Sequence, residues 1–367
     1  MEKLEAQILR ELAISGKSFW ELLDKCNCSL KDFVAVLKRL NEGGFIVSDE
    51  NGFYITEKGR SQINPKSLDF EGKICPSCFG KRILPEAKFK TVLEEFKRIT
   101  EKRPRPFLDF FQGYMLEHDV IARAALMHYY GDLEGKSIVL IGDDDLLSVA
   151  LSLTGLPLRI TVLDVDRRLG DFLRTVNKNY GFNIEFVEYD VAEPLPIKLR
   201  GKFDVFSSEP LETLSGLKAF IMRGAACLKE NGVGYFGLTH YEASLKKWLA
   251  VQKLLANMNC VITDVIQGFS VYPMDYGTAN YEEFAFYLGF KVGKNPGINW
   301  YKSALFRFEA LGKVKLPAEA NRKLRIKFID PDEDLTHPKS CHEILKKLNV
   351  GGNAAVSYFW KWFYAIR

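Results

Sequence analysis

The chain has 367 residues, about twice the length of a typical single domain, so two or three domains are expected. Apolar residues make up 47% and charged residues 27%, which excludes a disordered or collagen-like chain. No apolar run approaches a membrane span and the N-terminus is amphipathic, so a cytoplasmic protein without a membrane partner is expected. Seven cysteines in a chain of this size favour reduced thiols or a metal site over a disulfide framework.

The charge is distributed unevenly along the chain. The formal net charge is +4, yet segment 311–367 alone holds 11 Lys and Arg against 6 Asp and Glu. The first 310 residues are therefore close to neutral, which disfavours a nucleic acid partner for the body of the protein. We predict that 311–367 is a basic, aromatic-rich C-terminal extension. The five Gln beside abundant Lys and Glu are typical of thermophilic proteins.

Residues 1–64 have the pattern of a winged-helix-like domain. Amphipathic periodicity predicts a helix at the N-terminus, and Ser18 and Ser29 are N-cap residues for two more. Two short alternating runs around Gly52 predict a hairpin. Such domains bind DNA or serve in docking and dimerisation. With 9 basic and 10 acidic residues among the first 62, docking or dimerisation is favoured.

A Cys-x-x-Cys pair, Cys75 and Cys78, lies in a polar stretch rich in Gly and Pro. We predict that residues 65–133 comprise this linker and a helical connector. Two thiols are half of a tetrahedral zinc site, which Cys26 and Cys28, or the same pair of a second copy, would complete. The alternative is a turn with two free thiols. A thioredoxin-like redox role lacks the required strand-then-helix context.

From about residue 134 onward, short apolar strands alternate with amphipathic helices. This alternation predicts a doubly wound, Rossmann-like α/β domain over 134–310, with ligands at the carboxyl ends of the strands. The expected strands are 137–141, 159–164, 184–189, 203–208 and 232–239. Functional residues are therefore sought directly after these strands.

The first of these strands ends in four residues of unusual composition, Gly142, Asp143, Asp144 and Asp145, and leads straight into a helix. A dinucleotide-binding turn has three glycines at this point so that the backbone can approach a pyrophosphate, and a pyrophosphate ligand is therefore disfavoured. One Asp at a helix N-terminus is explained by capping, but three in succession are not.

Acidic residues also follow the other strands. Asp164 ends the second strand, where a carboxylate is placed to hydrogen-bond ribose hydroxyls. Asp190 follows the third strand and is placed to accept from an adenine amino group or to cap a turn. Glu209 and Glu212 follow the fourth. A site suited to adenosine without phosphate is typical of S-adenosylmethionine chemistry.

The acidic turn distinguishes between forms of that nucleoside. Three carboxylates repel the carboxylate of S-adenosylmethionine and attract cations. The predicted ligands are therefore decarboxylated S-adenosylmethionine, as co-substrate, and a polyamine. A methyltransferase on the same sheet is the alternative function, and a transcriptional regulator with a ligand-sensing α/β domain is a third.

These motifs resemble those of the branched-chain polyamine synthases, or N4-bis(aminopropyl)spermidine synthases. The resemblance extends from the N-terminal region to about Phe308, and its most specific elements are IGDDDLLSVAL, VLDVDRRL, EPLET, GYFGLT and NWYKS, with the CPSC pair. It implies an aminopropyltransferase that acts on a polyamine nitrogen, the secondary N4 of spermidine, and releases methylthioadenosine. Two features depart from the family. Glu209-Pro210-Leu211-Glu212 replaces an Asp-Pro-Pro-Glu stretch, and a basic segment replaces an acidic tail.

The resemblance also implies residue roles. Asp144, the middle acid of the turn, corresponds to the group that receives the proton of the attacking amine. Asp143, Asp145, Glu209 and Glu212 are expected to bind cationic groups, with capping or surface solvation as the alternative.

Ring faces attract ammonium groups, so three aromatic residues are candidates for the site, with core packing as the alternative for each. They are Tyr114, Trp300 and Tyr301, and the loop that contains Tyr276 is a candidate lid. No cofactor is needed for the chemistry beyond the nucleoside co-substrate. A homodimer is expected, because winged-helix modules and isolated Cys-x-x-Cys pairs often lie at interfaces.

Overall fold

The computed structural model of the chain describes residues 2–70, 72–107, 110–288, 291–330 and 333–336. Its N-terminal part forms three helices, a hairpin and a single helical turn. Their bounds are α1 Lys3–Ile14, α2 Phe19–Lys25, α3 Leu30–Glu42, β1 Ile46–Ser48, β2 Phe53–Ile55 and α4 Glu57–Arg60. The helices and the hairpin lie where the sequence pattern predicts them.

Local sequence explains where these helices begin. The hydroxyl of Ser18 accepts from the backbone N–H of Glu21 at the start of α2, and the hydroxyl of Ser29 accepts from Asp32 N–H at the start of α3. The apolar face of α3 is buried completely, which holds the three helices together through burial of apolar area.

A seven-stranded sheet forms the centre of the protein. Its strands are β3 Ser137–Ile141, β4 Arg159–Asp164, β5 Ile184–Glu188, β6 Phe203–Ser208, β7 Leu228–Thr239, β8 Cys260–Tyr272 and β9 Tyr301–Ala310. Their order across the sheet is β5-β4-β3-β6-β7-β9-β8. The first five are parallel, and β9 runs antiparallel to both β7 and β8. The predicted α/β sheet is confirmed, whereas β8 and β9 extend it beyond the five strands that the sequence predicts.

Six helices accompany the sheet: α5 Lys88–Thr100, α6 Glu117–Tyr129, α7 Leu147–Thr154, α8 Arg167–Tyr180, α9 Leu214–Cys227 and α10 Leu245–Asn257. All five residues of β3 are buried, as expected for a parallel strand covered on both faces. The chain order reverses at β3, which lies between β4 and β6. In open α/β sheets such a reversal opens a crevice at the carboxyl ends of the strands.

The N-terminal helices are fixed to the sheet beside this crevice. The backbone N–H of Leu30 donates to the carbonyl oxygen of Tyr241 at 3.0 Å, and the indole N–H of Trp20 donates to the carbonyl oxygen of Gly293 at 2.9 Å. The ring of Trp20 lies 6.0 Å from that of Trp300, which is completely buried. The first helices therefore contribute to the same core as the start of β9.

After β9 the chain crosses back over α9. Buried Arg223 donates to the carbonyl oxygens of Ala320 and Arg322, and Thr213 Oγ1 donates to the carbonyl oxygen of Lys327 at 2.7 Å. These bonds hold the segment near the crevice. The aromatic end of the predicted extension, residues 337–367, lies outside the described residues.

Two global features follow from the described part of the chain. Its six cysteines are free thiols. No helix in it combines the length and the apolar character needed to cross a bilayer.

Close packing of α9 on β6 gives a first testable prediction. An exposed helix gains stability from a Gly→Ala change, but a Cβ at Gly224 would overlap the ring of Phe206. We expect Gly224→Ala to lower the free energy of unfolding by about 1–3 kcal/mol through overpacking. Denaturant unfolding measures this, with Gly72→Ala, where a Cβ meets no atom, as control. A Gly224→Ala variant at least as stable as the parent would contradict the packing.

Candidate active site

Two cavities meet at the carboxyl ends of the parallel strands. We name the first the nucleoside cavity, because Asp164, which the sequence analysis expects to meet ribose hydroxyls, lies in its wall. It has a volume of about 180 Å³, and Gly142 and Asp190 also line it. The acidic cavity has a volume of about 140 Å³ and contains Glu212 and Glu242. Seven residues line both cavities: Phe111, Gln112, Asp144, Glu209, Pro210, Leu211 and Phe328. The two spaces are therefore contiguous.

Asp143 caps the helix that follows β3. Its carboxylate accepts from the backbone N–H of Ser148 at 3.2 Å and from the hydroxyl of the same residue. It is buried, it lines neither cavity, and burial raises its pKa to about 8. The capping alternative thus accounts for this member of the acidic turn, which does not face the space where a cation would bind.

Asp145 is also turned into the protein. It accepts from the backbone N–H of Met115 at 2.6 Å and lines neither cavity. Burial raises its pKa to about 7, the nearby charge of Glu209 adds to this rise, and Arg123 opposes it. Asp145 therefore stabilises the turn from inside the protein and does not form part of a cavity wall.

Asp144, the middle residue, faces the open space. It lines both cavities and is partly exposed, unlike its two neighbours. The backbone N–H of Gly113 donates to Oδ2 at 3.1 Å, and Arg103 donates to the main-chain carbonyl oxygen. Burial and the charges of Asp145 and Asp164 raise the pKa of Asp144 well above its ordinary value. A carboxylate with a raised pKa is a better proton acceptor near neutral pH.

Asp164 occupies the end of β4 in the nucleoside cavity. Its two oxygens accept from the backbone N–H groups of Asp166 at 2.8 Å and Asp143 at 3.1 Å, which fixes the carboxylate. Burial raises its pKa. Asp190 lies across the cavity, where one oxygen accepts from Ala192 N–H at 2.8 Å, so it closes a turn as well as lining the wall.

Glu209 lies between the cavities, but its carboxylate is already paired with a basic side chain of the protein. The completely buried guanidinium of Arg123 forms an ion pair with one carboxylate oxygen, and the hydroxyl of Tyr272 donates to the other at 2.7 Å. A Cβ at Gly237 would overlap this carboxylate. The longer side chain in this chain's Glu-Pro-Leu-Glu stretch is thus accommodated by a glycine on β7.

The far end of the acidic cavity holds three carboxyl groups. Glu212 accepts from the backbone N–H of Thr239 at 2.5 Å, and burial raises its pKa to about 7. Glu242 accepts from Tyr301 Oη at 3.0 Å, and burial together with the charge of Asp334 raises its pKa to about 8. Burial raises the pKa of Asp334 to about 6. The sequence analysis missed Glu242 and Asp334, because neither directly follows a predicted strand in a recognisable motif.

A buried lysine partly balances this cluster. Lys247 Nζ lies 3.0 Å from Glu333 and 3.2 Å from Asp330, and it donates to the carbonyl oxygen of Glu242 at 2.8 Å. The hydroxyl of Thr336 also donates to Glu242. The segment after β9 therefore completes the wall of the acidic cavity.

The three aromatic candidates occupy different places. Tyr301 lines the acidic cavity, whereas Trp300 is core, with its indole N–H donating to Glu282 at 2.8 Å. Tyr114 lines neither cavity but lies edge to face with Tyr276, at 4.7 Å between ring centroids. The expectation that Trp300 faces the site is wrong, since the packing alternative describes it. The aromatic lining that the sequence analysis missed consists of Tyr272, Tyr281, Phe111 and Phe328, and Tyr276 of the candidate lid loop also lines the acidic cavity.

The Cys-x-x-Cys pair lies away from both cavities. Cys75 is exposed, Cys78 is partly exposed and Cys26 is buried. Within the described ranges no group of three or more His, Cys, Asp or Glu side chains is arranged to hold a metal ion. Completion of a zinc site by Cys26 and Cys28 of the same chain is therefore wrong for this structure.

Comparison with known proteins identifies similar chains. Residues 91–333 match the family model described as the branched-chain polyamine synthase A C-terminal domain. The N(4)-bis(aminopropyl)spermidine synthase of Thermococcus kodakarensis is 39% identical over 84% of this chain and 88% of its own. The N(4)-bis(aminopropyl)spermidine synthase of Methanocaldococcus jannaschii is 37% identical, and the match covers 81% of this chain and 85% of that protein.

A crystal structure provides a structural counterpart. The branched-chain polyamine synthase of Thermus thermophilus, in complex with N4-aminopropylspermidine and 5′-methylthioadenosine, superposes with a TM-score of 0.78. It is 33% identical in sequence, and the match covers 89% of this chain and 92% of that chain.

The raised pKa values predict how stability depends on pH. A carboxyl group whose folded pKa is raised binds its proton more tightly in the folded state, so its stabilising contribution is lost as pH rises through the folded pKa. For Asp334, Glu212 and Glu242 this loss begins near the ordinary values of about 4 and is complete above about 8. We expect the free energy of unfolding of the ligand-free protein to fall between pH 5 and about pH 9.

Denaturant unfolding across this pH range measures the effect. Glu242→Gln removes one titrating group, and we expect it to recover about 1 kcal/mol or more at the alkaline end. Glu94→Gln, at an exposed position of α5, is the control and is expected to leave the profile unchanged. A parent protein whose stability rises with pH over this range would contradict the burial of these groups.

Proposed function

Because the chain belongs to the branched-chain polyamine synthase family, we propose that it transfers the aminopropyl group of decarboxylated S-adenosylmethionine to a polyamine nitrogen. The acceptor nitrogen is the secondary N4 of spermidine, the product is a branched polyamine, and methylthioadenosine is released. The observation that carries this proposal within the site is the position of Asp144, the one member of the acidic turn that lines both cavities.

The nucleoside cavity is assigned to the donor. Asp164, fixed by two backbone N–H groups, is placed to accept from the ribose hydroxyls, and Asp190 is placed to accept from the adenine amino group. The donor has a sulfonium and a free amine but no carboxylate. Asp144, the member of the turn that faces the cavities, favours this cationic ligand over the zwitterionic methionine form.

The acidic cavity is assigned to the polyamine acceptor. Glu212, Glu242 and Asp334 provide acceptors for ammonium groups at its far end, and Tyr276 and Tyr301 provide ring surfaces. Since Glu209 is already paired with Arg123, we assign it to the shape of the junction rather than to cation binding. The same holds for Asp143 and Asp145, which support the turn from inside.

The reaction is a displacement at the carbon that joins the aminopropyl group to sulfur. The lone pair of the acceptor nitrogen forms the new C–N bond, the C–S bond breaks, and its electron pair remains on sulfur in neutral methylthioadenosine. Asp144 orients the amine and receives its proton. The sulfonium needs no further activation, so alignment of the two reactants is the main contribution of the protein.

Substitution of Asp144 tests this assignment against its neighbour. We expect Asp144→Asn to lower kcat about 10²- to 10⁴-fold through loss of the proton acceptor, while the protein stays folded and binds methylthioadenosine. We expect Asp143→Ala to lower the free energy of unfolding by about 1 kcal/mol through loss of the helix cap.

The measurement is incubation with decarboxylated S-adenosylmethionine and spermidine, with mass spectrometry to resolve linear from branched products. Calorimetry of methylthioadenosine binding and thermal unfolding are recorded for each variant. An Asp144→Asn enzyme with parental turnover would remove Asp144 from the mechanism. Preference for intact S-adenosylmethionine as the ligand would overturn the function.

We further propose that residues 2–62 are a winged-helix-like docking module rather than a DNA-binding one. The N-terminus of α3, which a DNA-binding protein would insert into the major groove, is hydrogen-bonded to Tyr241 through Leu30. The adjacent Asp24 forms an ion pair with Lys302. The domain boundaries near residues 64, 133 and 310 remain predictions.

A homodimer that shares a zinc ion through the Cys75–Cys78 pair of each copy is the second part of this proposal. The backbone N–H groups of Cys78 and Ser77 donate to the Cys75 sulfur and lower its pKa, which favours the thiolate that zinc binds. Phe70 and Ile74, which precede the pair in the chain, are 84% and 74% exposed, so this segment carries apolar surface.

Metal content and molar mass test the shared zinc. We expect one zinc ion per two chains, and we expect Cys75→Ser/Cys78→Ser to lose both the metal and the dimeric mass in light scattering. Cys227→Ser, a buried thiol on α9, is the control. A dimer that persists in the double variant without zinc would refute the metal bridge.

A further inference from the structure

A short basic segment lies outside both cavities. Residues 97–105, with the sequence KRITEKRPR, hold five basic residues and one acidic residue. They form the last turn of α5 and the loop that follows it. Basic residues in a last helical turn complement the helix dipole, but Arg103 and Arg105 lie beyond the helix and are not explained in this way.

The segment surrounds a third cavity of about 430 Å³, which we name the basic cavity. Its lining residues are Lys97, Thr100, Glu101, Arg103, Arg105, Tyr114 and Glu117. Three cationic side chains therefore face two carboxylates, so the lining has a net positive charge. Lys97 and Arg105 are exposed at its edge.

Arg103 is the unusual member of this lining. The residue is only 9% exposed, and its Nη1 has no hydrogen-bond partner among the described residues. Its guanidinium lies 3.7 Å from the ring centroid of Tyr114, and Nη2 donates to the carbonyl oxygen of Asp144. A buried guanidinium N–H without an acceptor costs free energy, and the positive charge of this side chain attracts an anion into the adjacent cavity.

We propose that the basic cavity is a binding site for a small phosphate-type anion, either free phosphate or the phosphate groups of a nucleotide. Lys97 and Arg105 provide the charged edge and Arg103 adds positive charge to the wall, and the exposed guanidinium of Arg105 matches phosphate oxygens in charge and geometry. Glu101 and Glu117 oppose a long polyanion, which favours a compact ligand over duplex nucleic acid. The site does not depend on the proposed aminopropyl transfer.

Calorimetry on the full chain at physiological ionic strength tests the proposal, with inorganic phosphate, tripolyphosphate and ATP as separate probes. We expect saturable binding that Lys97→Gln/Arg105→Gln weakens about tenfold or more, since both charge-assisted contacts are lost. ATP tighter than tripolyphosphate identifies a nucleotide site, and equal affinity identifies a phosphate site. Either result supports the proposal.

The matched control is Arg98→Gln/Lys102→Gln, which removes the same charge from the same segment without changing the lining. We expect it to alter affinity by no more than about twofold, as for surface charges in general. No binding of any probe would overturn the proposal. Equal weakening by the two double variants would also overturn it. The same holds if duplex DNA binds more tightly than phosphate and displaces it. Thermal unfolding of each variant confirms that the comparison is between folded proteins.

Discussion

The cost of burying carboxylates at one edge of the sheet is the constraint on which the rest of this structure depends. An isolated buried carboxylate is strongly disfavoured, because its charge loses hydration. The protein offsets part of the charge with Arg103, Arg123 and Lys247, each buried and each directed at a different acid or carbonyl group. Burial raises the pKa of several of the remaining acids, so the charge of this edge is incompletely balanced by the basic side chains.

The three consecutive aspartates illustrate how one turn distributes this charge. Successive side chains of a tight turn point in different directions, so three identical residues meet three environments. Asp143 meets a helix N-terminus, Asp145 meets a backbone N–H near Arg123, and Asp144 meets the open junction of two cavities. Identical residue types therefore lie in different surroundings, and only geometry separates an acid that supports the turn from one that faces the cavities.

Much of this arrangement could be predicted from the sequence. The apolar runs of β3, β4 and β6 are buried almost throughout, which gives a strong and unambiguous pattern, and the acids at the ends of these strands or directly after them are positioned by that pattern alone. The strands β8 and β9 were not predicted, because β8 alternates between buried and exposed residues and is interrupted by register shifts against β9. An irregular edge strand has a weak periodic signal.

The sequence analysis missed two residues of the acidic cavity for a similar reason. Glu242 lies in a loop after β7, and Asp334 lies beyond the last strand. Both reach the site through tertiary contacts, Glu242 with Tyr301 and the later segment with Lys247. Trp300 was misplaced for the converse reason: it is adjacent to Tyr301 in sequence, yet the indole turns toward Trp20 and the phenol turns toward Glu242. Trp300 precedes β9, and its ring meets that of Tyr301 edge to face with centroids 5.5 Å apart, so only one of two touching rings reaches the cavity.

The contact between Trp20 and Trp300, with ring centroids 6.0 Å apart and ring planes tilted by 36°, joins the N-terminal helices to the segment that leads into β9. Trp300 also contacts Tyr241 edge to face, with ring centroids 5.2 Å apart. Trp20 and Trp300 are about 280 residues apart in the chain, yet their contact means that a substitution at one position affects the packing of the other. A recombination event that exchanged the leading helices would have to bring another large, flat apolar group to the same place. Substitutions beside Tyr301, which lines the acidic cavity, are in this way coupled through packing to the N-terminal helices.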